Sequence, residues 1–140
     1  MAIAGRAIVV KPAKSGERPS SRRLYEGSVD SQRCPYGIER TYNGLRIAGA
    51  LAKHQDAELK IFLMGDSVIA AVNGQKVPAG YYNAQVMLTS PTKRGAAVGV
   101  CGTCMDARGV QEAQLTAGAH RSSMDELTDW IVWADKVISY

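Results

Sequence analysis

Two short segments are apolar at nearly every position, and they constrain the fold more than anything else in the sequence. Leu59 to Met64 (LKIFLM) and Ala96 to Cys101 (AAVGVC) have strand length, and strands without polar alternation belong in a sheet covered on both faces. The segments around them have helical character. Ile38, Tyr42, Leu45, Gly49 and Ala52 recur at helical spacing and predict a helix from about Tyr36 to Lys53, with Pro35 near its first turn. A second helix is expected from about Tyr82 to Thr89, ended by Pro91. Asp66 is placed to cap a short helix from Ser67 to Asn73, closed by Gly74.

The remaining segments continue the alternation. Ala7 to Val10 reads as a first strand, and Lys11 to Arg33 has neither a helical nor a strand period and reads as a polar loop. After Gly109, a helical turn (Gln111 to Leu115) and a brief strand (Gly118 to Arg121) precede the best-signalled helix. There Ser123 and Glu126 form a capping-box pattern, and Met124, Leu127, Ile131 and Ala134 share a face. Lys136 to Tyr140 closes as a strand. Strands and helices in this order imply one α/β domain over residues 1–140, with a parallel sheet between helical layers and residues 11–34 as an atypical polar segment. Trp130 and Trp133 fall off the Leu127/Ile131 face, so at least one is expected to cover another element or a neighbouring subunit.

Charge excludes little. The net +4 resides in residues 1–33, where seven Lys/Arg face three acids; residues 34–140 hold ten of each sign. That segment lacks interleaved aromatics apart from Tyr25, so nucleic acid is not an expected partner. No apolar stretch has the length of a signal or membrane segment, which predicts no membrane contact and a cytoplasmic, reducing setting. No phosphate-binding glycine motif occurs, and neither a cofactor nor a metal is expected, since Cys34, His54 and His120 show no paired ligand spacing.

Chemistry concentrates at Cys101 and Cys104. A thiol ending a buried strand stands where open α/β sheets place their crevices, and helical N–H groups following it would favour a thiolate. Both cysteines also fit as small buried apolar residues.

Several ordered segments resemble the DsrE/DsrF-like family, in its YchN-like branch. They are Cys34-Pro35-Tyr36-Gly37-Ile38-Glu39-Arg40, Phe62 to Val68, Gly74-Gln75-Lys76, Gly80 to Asn83, Cys101 to Gly109, and the Asp125-Glu126-Leu127 to Val137 end. The resemblance covers about residues 35–140. It implies a flavodoxin-like three-layer α/β/α fold with a mostly parallel sheet of about five strands. It also implies a homotrimer or homohexamer and, as in the sulfur-relay members, a persulfide-carrying cysteine that maps onto Cys101, with Cys104 matching a second cysteine of the branch. A protein sulfur donor and acceptor are then expected partners.

On that reading Cys101 carries the sulfur and Cys104 attacks the persulfide or closes a disulfide. Arg108 and the N–H groups of Gly102 and Thr103 hold the anion, while Asp66, Tyr36 and Gly37 border the crevice. A non-catalytic oligomeric binding module and a thiol redox sensor are the alternatives. The polar residues before the Pro-Tyr-Gly motif, and a cysteine at position 34, depart from the family pattern.

Overall fold

The computed structural model describes residue 36, residues 39–55 and 57–139, and the backbone of residues 7–12. The polar segment from residue 13 onward, Cys34 and Gly37 lie outside the described residues.

The elements are β1 (Ala7–Pro12), α1 (Glu39–Leu51), β2 (Ala57–Leu63), α2 (Ala84–Lys93), β3 (Ala97–Cys101), α3 (Gly102–Asp106), β4 (Ala119–Ser122), α4 (Met124–Trp133) and β5 (Lys136–Ser139). A 3-10 helix covers Gly65–Ala71 and a single 3-10 turn Glu112–Gln114. The sheet order is β4-β3-β2-β1-β5.

The run at β2 divides its side chains between two cores, as a strand covered on both faces must. Leu59, Ile61 and Leu63 join Val98 and Val100 of β3 under α1 and α2, where Leu45, Ala48, Ala84 and Leu88 are buried. Phe62 and Met64 face the other way and pack with Cys101, Leu127 and Trp130 beneath α4. Lys60 lies on this second face without stranding its charge, because its ammonium sits 5.2 Å from the Trp130 ring and 4.2 Å from that of Trp133.

Helices thus cover both faces of a five-stranded sheet in which β1 alone runs against the other strands, so the expected parallel arrangement holds in part. Parallel pairing holds for β2–β3 and β3–β4, while β1 pairs antiparallel with both β2 and β5. The reason lies in chain length. β1 extends to Pro12, opposite Ala57 at the start of β2, and α1 ends just before β2, so α1 begins at the far end of the sheet. An antiparallel β1 therefore needs a connection that recrosses the sheet, on the order of 20 Å for a helix of this length. Residues 13–38 supply that reach many times over, at about 3.3 Å per extended residue.

Two further expectations are revised. α2 begins after the Asn83 cap, whose side chain accepts from the Val86 N–H, and runs through Pro91 to Lys93. A proline in the last turn removes one intrahelical donor, and burial of its ring compensates. On α4 the inward residues are Leu127 and Trp130, with Trp130 only 6% exposed and edge-on to Phe62 at 6.0 Å; Ile131 is 46% exposed. The wide gap over Gly99 explains this, since a flat indole fills it better than a branched aliphatic. A Cβ at Gly99 would lie 3.1 Å from Phe62, from the Ser122 hydroxyl and from the Trp130 ring. Gly99→Ala should therefore destabilise the fold by about 1–3 kcal/mol through overpacking, and Trp130→Ala by about 3–5 kcal/mol. Urea midpoints of the two variants, compared with Ile131→Ala as a near-neutral control, check both values.

Candidate functional site

β3 hands directly to α3. Cys101 is the last residue of the strand and also the N-cap of the helix, with φ −56° and ψ 115°. Its side chain faces the α4 core beside Met64 and Leu127 and is only 3% exposed. Cys104, one turn on, is half-buried and touches both cores. An open hollow presenting Cys101 is thus corrected to a covered thiol with a more accessible companion.

Hydrogen-bond donors surround the covered sulfur. Thr103 Oγ1 lies 3.3 Å from Cys101 Sγ. Burial pushes the Cys101 thiol up, but hydrogen bonds from the Cys104 and Thr103 side chains and from the N–H groups of those residues outweigh it, and the net shift is downward. Cys104 moves the other way. Burial and its bond to the Cys101 sulfur raise it, the nearby Cys101 charge adds to the rise, and the Gly65 N–H and Arg108 offset only part. The two thiols are therefore shifted apart, Cys101 down and Cys104 up.

Arg108 is largely committed elsewhere. Its Nε and Nη2 donate to Asp66 Oδ1 at 2.9 and 2.5 Å, and its Nη1 to the Cys104 carbonyl at 3.0 Å. Asp66 is consequently not the cap of the 3-10 turn; the Ser67 hydroxyl serves there, accepting from the Met64 N–H and donating to its carbonyl. Asp66 and Arg108 nevertheless come together beside the dithiol and fix the turn after α3 against the turn after β2.

Tyr36 joins a different network. Its hydroxyl donates to Gln75 Oε1 at 2.5 Å and accepts from the Ala84 N–H, and its ring stacks on Tyr82. Gln75 Nε2 bonds the carbonyls of Ile69, Ala70 and Val72. This cluster pins the loop before α2 rather than walling the thiols.

Two groups beside Cys101 escaped the sequence reading. Arg121 pairs with Asp106 through two bonds of 2.8 and 2.6 Å, and its guanidinium lies against Gly102. On the Cys101 face of β4, Ser122 donates to Glu126 Oε2 at 2.5 Å, and His120 Nε2 lies 2.9 Å from the same oxygen. Burial raises the Glu126 carboxyl, but Ser122, His120 and Lys60 prevail and hold it below the usual carboxylate value. The predicted capping box is thus half present, because Ser123 accepts from the Glu126 N–H while the Glu126 carboxylate turns to β4. The strand register alone brings these residues to Cys101, with Cys101 opposite Ser122, and register leaves no local mark in sequence.

Thr103→Val removes one donor to the Cys101 sulfur. The Cys101 pKa should rise and its alkylation by iodoacetamide below that pKa should slow, with the rate at high pH little changed; site-resolved alkylation against pH measures this.

The sequence profile of the DsrE/DsrF-like family matches residues 31–140. Protein YchN of Escherichia coli is 40% identical over 107 residues, covering 76% of this chain and 91% of that protein. An uncharacterized protein of Methanopyrus kandleri is 37% identical over 106 residues, covering 76% and 86%. The crystal structure of the E. coli ychN protein superposes with a TM-score of 0.69 at 40% identity, over 74% of this chain and 89% of that one. With its strand-end thiol and its second cysteine one turn on, the chain belongs to the DsrE/DsrF-like family.

Proposed function

We propose that this flavodoxin-like domain is a cytoplasmic sulfur carrier that holds sulfane sulfur as a persulfide on Cys101. The observation that carries this reading is the dithiol at the β3–α3 junction, where Cys101 Sγ lies 3.3 Å from Thr103 Oγ1 with Cys104 one turn on; the surrounding donors lower the Cys101 thiol while burial raises that of Cys104. A persulfide forms when a thiolate attacks a sulfane sulfur and displaces the donor's leaving group, and the terminal sulfur is then an anion that needs donors. The Thr103 hydroxyl and the N–H groups of Thr103 and Cys104 supply them. For release, Cys104 loses its proton and attacks the Cys101 sulfur, forming a Cys101–Cys104 disulfide and expelling the terminal sulfur as hydrosulfide. An external thiol reopens the disulfide. A partner thiol attacking the terminal sulfur instead leaves Cys101 reduced and makes the protein a relay between a donor and an acceptor.

Incubation with a persulfide donor should add about 32 Da by intact mass. The gain should vanish in Cys101→Ser and persist longer in Cys104→Ser. The same adjacency favours one second reading, a redox sensor. A loss of about 2 Da on oxidation, with no sulfur adduct from any donor, replaces the carrier with that reading.

The chain is further proposed to work as a homotrimer or homohexamer. Val132 is 79% exposed, and Met124 and Ile131 on the same helix, with Tyr81 and Val86 by α2, are also exposed; isolated monomers rarely leave so many large apolar side chains in water. These side chains are assigned to subunit contacts. Light scattering at micromolar concentration should give a trimer or larger, and a Val132→Asp variant should dissociate; a monomeric wild type overturns the assignment.

A further inference from the structure

A guanidinium occupies the space that a side chain at position 102 would fill. A Cβ at Gly102 would stand 3.0 Å from Cζ and Nε of Arg121 and 3.1 Å from its Nη2. Near-equal distances to three atoms of a planar group mean that the plane lies flat over the residue following Cys101. Asp106 holds it there from one edge, using Nη1 and Nη2, which leaves Nε–H and two outer N–H donors without a partner among the described residues. Arg121 also senses the thiol: Asp106 first, and the Cys101 charge further down, make its proton harder to remove. Arg108, by contrast, spends three of its donors, Nε–H included, on Asp66 and the Cys104 carbonyl.

We propose that Arg121 determines the specificity of the dithiol, its guanidinium spread over Gly102 selecting donors whose sulfane sulfur is carried by a small anion, of the thiosulfate class. This rests on the carrier reading above and names its substrate. Cys101 as a residue is only 3% exposed, which disfavours bulky donors. In the transfer, the Cys101 thiolate attacks the outer sulfur of thiosulfate, the new S–S bond forms as the old one breaks, and sulfite departs with the bonding pair. No proton moves, and the two charges of the donor leave on sulfite. The free edge of Arg121 binds the donor oxygens, and as a planar donor array it suits an oxyanion better than a lysine does. A Cβ at Gly102 would crowd the guanidinium at 3.0–3.1 Å and shift it from this seat. Asp106 tempers the site by neutralising part of the charge.

Iodoacetate and iodoacetamide are similar in size and differ in charge, so the ratio of their alkylation rates at Cys101, located by peptide mass spectrometry, reads anion selection without any sulfur transfer. Arg121→Met and Gly102→Ala should lower the iodoacetate-to-iodoacetamide ratio about three- to tenfold, the size of one partly exposed charged contact. Arg121→Lys should restore part of it, Asp106→Asn should raise it, and added salt should shrink every difference. A structural pin between α3 and β4 would instead make Arg121→Met and Asp106→Asn move together and change both reagents in proportion. That result overturns the proposal, as does failure of both reagents to reach Cys101. The persulfide adduct of the wild-type protein is scored separately, so loss of anion selection and loss of the carrier reading are distinguishable.

Discussion

No residue separates β3 from α3, and the site follows from that junction. Cys101 must satisfy a strand on one side and a helix on the other. Its backbone is fixed by pairing to β4 at Ser122, and the preceding Val100 is fixed to β2 at Leu63. The backbone that carries the thiol is therefore held on both sides, and the N–H groups of the first helical turn stay beside it. Such a site is preorganised by regular structure rather than by loops. Two ion pairs brace the junction from opposite sides, Arg108–Asp66 toward the turn after β2 and Arg121–Asp106 toward β4. Pairs this exposed add little net stability.

The chemical consequence is a division of labour within one helical turn. A lowered thiol pKa raises the thiolate fraction but weakens the nucleophile, so acidification helps only while the pKa stays above or near ambient pH. Burial works against the hydrogen-bond donors at Cys101, and the net lowering is a difference of opposing effects. At Cys104 burial and the neighbouring sulfur act in the same direction. The second thiol thus remains a proton store beside the first, ready to attack once that proton is lost.

Local patterning carried much of the fold into the sequence, and pairing carried the rest. β2 and β3 were legible because apolar runs bounded by turn residues leave few alternatives, and α4 because Ser123 caps it. Its inward face was misread, since Trp130 and Ile131 are adjacent and only the void over Gly99 decides which one turns in. The end of α2 was misread because a proline rule that holds for an isolated helix yields to burial of the ring. The direction of β1 is a property of pairing that no local pattern encodes. The two cysteines were legible through their motif. Arg121 and Ser122 were not, because they come beside Cys101 across the β3–β4 register, and Glu126 was legible only as a capping residue of α4.

The two faces of the sheet answer to different demands. Beneath α1 and α2 the core is aliphatic, and close packing there supplies stability without chemistry. Beneath α4 the core mixes Phe62, Met64 and Trp130 with Cys101 and is rimmed by the Ser122–Glu126–His120 network and Lys60. Polar groups this close to a core cost desolvation unless each finds a partner, and here they do: Glu126 gathers Ser122 and His120, and Lys60 lies over two indoles. Because Glu126 is more acidic folded than unfolded, its contribution is present above the ordinary carboxylate pKa and fades as pH falls through the lowered value.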